Sequence, residues 1–190
     1  MPENPGRMPK AQVKRVSGQP TLGDYLANRK ILLRSMSGDD IPELKQMVFA
    51  IYDEYGEKRL RRWYEQKHPE VFDSEVFGKN PERRVAHILE DPSTGSIVGS
   101  GILIQPDLKT PEIGEISKLY LHPSVRGQGF GRLLLEDLIR QARRMEYDEL
   151  FLVTRVKFTD AIPFYRTAGF RKVKNDVYNV ACSIKMKMRL

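Results

Sequence analysis

The sequence predicts a three-layer α/β domain built on a mixed sheet, and two observations predict it. Short apolar runs alternate with stretches of helical period in the order strand, helix, helix, strand, strand, strand, helix, strand, helix, strand. That order puts antiparallel hairpins first and a strand-helix-strand unit in the middle. The size agrees: 190 residues, 40% of them hydrophobic and with eight Phe and eight Tyr, suit a single packed core and are too apolar for wholesale disorder. No internal repeat is present.

The first thirty residues carry Pro2, Pro5, Pro9 and Pro20 and no sustained hydrophobic period, so residues 1–30 read as a basic, flexible arm outside a domain spanning 31–190. Thr21 to Asn28 is a candidate short helix within the arm. Ile31 to Arg34 is an apolar run of the buried-strand type, and Ser37-Gly38-Asp39-Asp40 supplies a turn and a helix cap. Pro42 suits a first helical turn, and Ile41, Leu44, Met47, Val48 and Ile51 follow at helical spacing to about Glu54. Lys58 to Gln66 reads as a polar helix, and His68 to Pro81 as irregular.

Arg84 to Leu89 and Ser96 to Ile104, joined by Asp91-Pro92-Ser93-Thr94-Gly95, form a β-hairpin signature. Ile113 to Leu121 reads as a strand, and Phe130 to Met145 as a helix with Leu133, Leu134, Leu138 and Ile139 inward. Leu150 to Val153 is fully apolar, as in a strand covered on both faces. Asp160 to Ala168 makes a helix stopped by Gly169, and Val180 to Arg189 a final alternating strand.

Composition narrows the function classes. The formal charge is +7, of which the arm holds +4 and the remaining 160 residues +3, so an anionic partner is expected. A lone Cys182 excludes an intramolecular disulfide framework and suits a reducing compartment. No apolar stretch is long enough for a membrane span and no secretion signal is visible, so a cytoplasmic, membrane-free protein is expected. His68, His87 and Cys182 lack metal-ligand spacing, and no metal is implied. His122, before Pro123, reads as a turn residue.

The most informative segment runs from Leu119 to Arg132, where a strand leads into a loop with glycines at 127, 129 and 131 that opens directly onto an amphipathic helix. Amides at a helix start lack intrahelical partners and sit at the positive end of the dipole, and glycines let the backbone approach a ligand. That chemistry binds pyrophosphate. The dinucleotide fingerprint fails, because Arg132 stands where a glycine is needed, and the P-loop ending is absent. Arg126-Gly127-Gln128-Gly129-Phe130-Gly131 fits R-x-x-G-x-G instead.

With that motif the sequence resembles the GNAT superfamily of acyl-CoA-dependent N-acyltransferases, whose [Q/R]-x-x-G-x-[G/A] signature is matched by Arg126, Gly129 and Gly131. Ala161 to Phe170 is similar to the family's A-x-x-x-Y-x-x-x-G-F segment, about one strand further on. The resemblance covers roughly Ile31 to Leu190. It implies a mostly antiparallel sheet flanked by helices, whose two parallel central strands splay apart to admit CoA.

The resemblance further implies that backbone amides of Arg126, Gly127, Gln128, Gly129, Phe130, Gly131 and Arg132 hold the CoA pyrophosphate. Pantetheine would pair with the backbone of Leu119, Tyr120 and Leu121 beside a bulge, where the Leu119 N–H would polarise the thioester carbonyl. As side chains, Leu119 and Leu121 are equally core residues. Glu115 matches the family's usual catalytic glutamate, the base that neutralises the attacking ammonium. Glu112 is the reserve candidate, and a solvent-facing strand residue is the plainer reading of Glu115. Tyr165 matches the tyrosine that protonates the departing thiolate, or simply packs against the cofactor. Asp160 stands where the family often has Asn, so no cofactor contact is carried over there.

The expected function is acetyl transfer from acetyl-CoA to a primary amine by direct attack in a ternary complex. A CoA-binding module without turnover and a protein or peptide N-acetyltransferase are the alternatives, and a homodimer is left open. Nucleic-acid binding through the arm is disfavoured by the lack of a recognition helix or aromatic sheet motif. The resemblance implies that acceptor choice comes from roughly Tyr52 to Phe77 and Asn175 to Val180. There Tyr52, Tyr55, Trp63 and Tyr64 suit either an aromatic wall or a helix-pair core, and Lys58, Arg59, Arg61 and Arg62 either an anion site or a solvated face.

Overall fold

The computed structural model describes residues 31–78, 80–173 and 183–190. The arm with its candidate helix, the segment Asn175 to Val180 and Cys182 lie outside the described residues. Strand β1 (Leu32–Ser35) pairs with β2 (Val85–Asp91) at one end of the sheet. It is not the buried strand its apolar run suggested. A terminal strand has a neighbour on one side only, and Leu32 is 49% exposed.

Helix α1 (Ile41–Glu54) starts with Pro42 in its first turn and buries Leu44, Met47, Val48, Ile51 and Tyr52, the i, i+3, i+4, i+7, i+8 stripe of one helix face. Helix α2 (Lys58–Arg62) widens into a π-helical turn (Trp63–Lys67), with His68 N–H donating five residues back to Trp63 O at 3.0 Å. Helix α3 (Pro69–Phe77) occupies the stretch expected to be irregular. Its burial rests on Phe72 and Val76, one turn apart and both fully enclosed. Two anchors between prolines make a stripe too short to show as a period.

The hairpin of β2 and β3 (Ser96–Ile104) forms as expected. β4 (Ile113–Leu121), helix α4 (Phe130–Arg144) and β5 (Glu149–Arg155) make the strand-helix-strand unit. In α4 it is Leu135, not Leu133, that joins Leu134, Leu138 and Ile139 in the core. Helix α5 (Ala161–Thr167) ends at Gly169, whose φ of +105° reverses the chain. A two-residue β6 (Arg171–Lys172) and β7 (Ser183–Arg189) complete the described chain.

The seven described strands run in the order β1-β2-β3-β4-β5-β7-β6, antiparallel except for the central β4–β5 pair. Helices α1 to α3 cover one face, where Leu44, Val48, Phe72, Ile88, Ile102 and Ile104 pack. Helices α4 and α5 cover the other, over Leu103, Ile116, Leu138, Leu150 and Leu152. β5 is covered on both faces in part: Leu150 and Leu152 lie under α4 and Phe151 is buried on the opposite side, but on that side Val153 is 37% exposed and lines a cavity. No described helix is long and apolar enough to cross a membrane.

Candidate active site

A parting of the two central strands organises the site. β4 and β5 are paired only from Ile113↔Glu149 to Glu115↔Phe151, and no further. On its other side β4 carries a bulge. Its register with β3 steps between Ser100↔Tyr120 and Ile102↔Ser117, leaving Lys118 with φ of 48°. Ser100 Oγ donates to Lys118 O at 2.6 Å and holds the irregular backbone in place. Between the parted strands and helices α1 and α2 lies a cavity of about 600 Å³, which Glu115, Leu119, Tyr120, Leu121, Arg126 and Tyr165 all line.

At the end of β4, His122 Nδ1 accepts from Ser124 N–H at 3.3 Å and caps a short 3-10 turn, as suits a turn residue. Arg126 Nε donates to Leu121 O at 2.9 Å, and its guanidinium pairs with Glu54 of α1 at 2.5 and 2.8 Å. Its side chain therefore ties the loop to α1. Gly127 and Gly129 have φ of +69° and +88°, a region that side chains disfavour. Gly129 caps α4, taking Leu133 N–H on its carbonyl at 3.1 Å. A Cβ on Gly131 would meet Leu121 Cδ1 at 3.3 Å. Arg132 points away into solvent beside Glu136, so only its backbone belongs to the loop. A positive-φ glycine loop at a 15-residue helix start, opening beside parted strands, fits a pyrophosphate followed by an extended arm.

Glu115 sits at the last paired position, partly buried on the α1–α3 face and lining the cavity. Among the described residues its carboxylate has no hydrogen bond or ion pair. Burial first, then the nearby Glu75 carboxylate, push its pKa up to about 7, against the pull of Lys118 and Lys185. Glu112, the reserve candidate, is exposed and does not line the cavity; its carbonyl accepts from Asp148 N–H at 2.8 Å. Tyr165 lines the cavity from α5 and is 8% exposed. Its hydroxyl has no hydrogen-bond partner among the described residues, and burial raises its pKa, so it stays protonated through the neutral range.

The aromatic residues satisfy both expectations at once. Tyr52, Tyr55, Trp63 and Tyr64 line the cavity, while Tyr52 and Tyr64 are also buried core side chains. Tyr52 and Tyr120 hydroxyls lie 3.2 Å apart. Of the basic cluster only Arg59 reaches the cavity; Arg61 is paired with Asp53 and Glu65 on its own surface. Asp160 accepts from Tyr55 Oη at 3.5 Å and does not line the cavity.

Two functional candidates escaped the sequence. Glu75 of α3 and Lys118 of β4 meet as an ion pair at the cavity wall, with Tyr64 Oη donating to Glu75 at 2.7 Å. The signal for Lys118 was present: Ile116 and Leu119 are both apolar at a spacing of three, which breaks strand alternation and marks a bulge. Glu75 lay in the stretch without a readable period. No group of three or more metal-ligating side chains occurs among the described residues.

Similar proteins agree with this arrangement. Residues 47–170 match the Acetyltransferase (GNAT) family. The uncharacterized N-acetyltransferase YjgM of Escherichia coli is 23% identical over 168 residues, 87% of this chain and 98% of that protein. Glucosamine 6-phosphate N-acetyltransferase of Trypanosoma brucei brucei is 36% identical over 81 residues, 41% of this chain and 53% of that protein. In fold, a GNAT-family acetyltransferase of Staphylococcus aureus superposes with a TM-score of 0.68 at 20% identity, over 84% of this chain and 99% of its own. The PaiA N-acetyltransferase of Thermoplasma acidophilum, solved with coenzyme A, gives 0.60 at 18% over the same shares. The family match runs from within α1 through the parted strands and the glycine loop to the end of α5; the chain belongs to the GNAT family and is an acyl-CoA-dependent N-acetyltransferase.

Proposed function

We propose that the chain transfers an acetyl group from acetyl-CoA to a small primary amine by direct attack in a ternary complex, with Glu115 as base and Tyr165 as acid. One observation carries this. A carboxyl that titrates near 7 and a phenol kept protonated line the same cavity, neither with a hydrogen bond among the described residues to satisfy it. The cavity volume lies in the range of small-molecule sites, which supports a small amine over a protein surface. The named acceptor of the Trypanosoma relative, an amino sugar phosphate, is also a small amine.

Acetyl-CoA supplies the electrophilic thioester when bound. Backbone amides from Arg126 to Arg132 would hold its pyrophosphate, and the backbone of Leu119, Tyr120 and Leu121 its pantetheine. An alkylammonium has a pKa of about 10.4 and cannot attack until it loses a proton. Glu115 accepts that proton, directly or through a water. Tyr165 then gives its hydroxyl proton to the leaving sulfur as an N–C bond replaces the C–S bond. The proton that the nitrogen sheds on becoming an amide restores the balance. The Leu119 N–H, beside the bulge, polarises the carbonyl during attack.

An acceptor screen with acetyl-CoA that reads free thiol tests the proposal. Turnover with small primary amines is expected, and turnover only with polypeptides would overturn the choice of acceptor. The lone Cys182 supports a reducing, cytoplasmic setting for the reaction.

A further inference from the structure

In an unbroken strand, residues three apart point to opposite faces. Glu115 and Lys118 are three apart in β4, yet both belong to the cavity wall on the α1–α3 side. The bulge at Lys118, with its positive φ, shifts the alternation by one and turns the lysine to the face of Glu115. There its side chain is 4% exposed, and the ammonium, paired with Glu75, lies 4.5 Å from the centre of the Phe72 ring and 5.0 Å from that of Tyr64. Among the described residues, Glu75 and Glu115 are the two acidic ones lining the cavity. Lys118 and Tyr64 both engage Glu75, and neither is hydrogen-bonded to Glu115.

We propose that Lys118 and Glu75 are positioning residues: their internal ion pair reserves Glu115 as the carboxylate that meets the acceptor ammonium, and the balance of the pair sets the proton affinity of that base. The inference rests on Glu115 acting as the base. An unpaired Glu75 would be a second ammonium site on the same wall, where a bound amine could not be deprotonated for attack by Glu115. The buried lysine fills that role permanently and leaves one productive position.

The groups facing Glu115 allow the sign of each change to be worked out. Among the described residues, Glu75 of α3, Lys118 of β4 and Lys185 of β7 act on its charge, Tyr64 of the π-helical turn lines the same cavity, and Phe151 of β5 is its register partner. Removing the negative charge of Glu75 eases ionisation of Glu115, and removing the positive charge of Lys118 opposes it.

The test is the acid limb of the pH profile of kcat/KM for one primary amine, measured on the full chain. The amine's own titration is common to all variants and cancels in the comparison. Glu75→Gln is expected to move the midpoint down by about one pH unit and Lys118→Met to move it up by about one unit. Lys118→Arg should keep it within a few tenths, and the double variant should return it towards the parent, because the two charges leave together. A thermal melt of each variant checks folding. If Lys118→Met does not fold, Glu75→Gln and Lys118→Arg still decide the matter. Midpoints that stay with the parent in Glu75→Gln, while Glu115→Gln removes the limb, overturn the inference and leave the base standing. A parent-like limb in Glu115→Gln overturns the base itself.

Discussion

At the scale of single residues, the chemistry of Glu115 carries a structural cost with a definite pH dependence. Its carboxyl titrates near 7 in the fold against an ordinary 4.5. Below about pH 4.5 both folded and unfolded chains hold the proton and there is no penalty. Between 4.5 and 7 the unfolded chain ionises first, so stability declines, and above 7 the full penalty applies. Glu115→Gln removes it. The variant is expected to melt several degrees higher than the parent at pH 8 and to match it at pH 4, while kcat/KM falls about 100-fold or more near neutrality. Equal melting temperatures at both pH values would mean that the carboxyl is not held out of water. Tyr165→Phe keeps the packing against Phe164 and Phe170 and deletes only the hydroxyl. It should lower kcat about 10- to 100-fold and leave acetyl-CoA affinity within two-fold, read by titration calorimetry beside steady-state rates. Both residues were legible as candidates because motif position carries them, and both line the cavity. Glu75 was not, because a helix with two anchors leaves no periodic trace, and for Lys118 the break in alternation between Ile116 and Leu119 marks a bulge without saying which side chain it turns into the cavity.

At the scale of elements, the glycine loop and the bulge do opposite things with the same backbone region. Gly129 holds its positive φ for the cost of glycine's own flexibility, whereas Lys118 holds one with a full side chain and needs the Ser100 hydroxyl on its carbonyl. Gly129→Ala should therefore cost about 1–2 kcal/mol and raise the KM for acetyl-CoA with little change in the acceptor KM. A change confined to the acceptor would place the loop outside the donor site. The strands and long helices were readable from alternation and the 3.6 period, and α1 shows its whole buried stripe in the sequence. The edge position of β1 and the open face at Val153 were not, since an apolar run states what a strand prefers and not which neighbours cover it. The interruption of β4–β5 pairing after Glu115 came from the family resemblance rather than from any local propensity.

Across the whole molecule, parting β4 from β5 removes the ladder where the two halves of the sheet should meet, and side chains bridge the opening instead. Three of them converge on the turn after α1. Arg126 pairs with Glu54, Arg155 reaches Glu57 at 3.3 Å, and Lys157 Nζ donates to Gly56 O at 2.7 Å. The Arg155–Glu57 pair is the most enclosed, with side chains 15% and 4% exposed, so its charges have little water to fall back on. Such pairs add little over an apolar substitute but are costly to break on one side. Arg155 also donates to Ser183 Oγ at 3.0 Å and is not stranded when Glu57 is neutralised, so Glu57→Gln is expected to destabilise the fold by about 1–2 kcal/mol, measured by urea unfolding. The turn also joins α1 to α2, and Tyr52, Tyr55 and Arg59 around it line the cavity on the side that the proposed reaction gives to the acceptor. At temperatures where the variant remains folded, the acceptor KM should rise several-fold while acetyl-CoA binding, which the proposal puts at the α4 terminus, is unchanged. A loss shared equally between the two substrates would show that the turn braces the cavity as a whole rather than its acceptor wall.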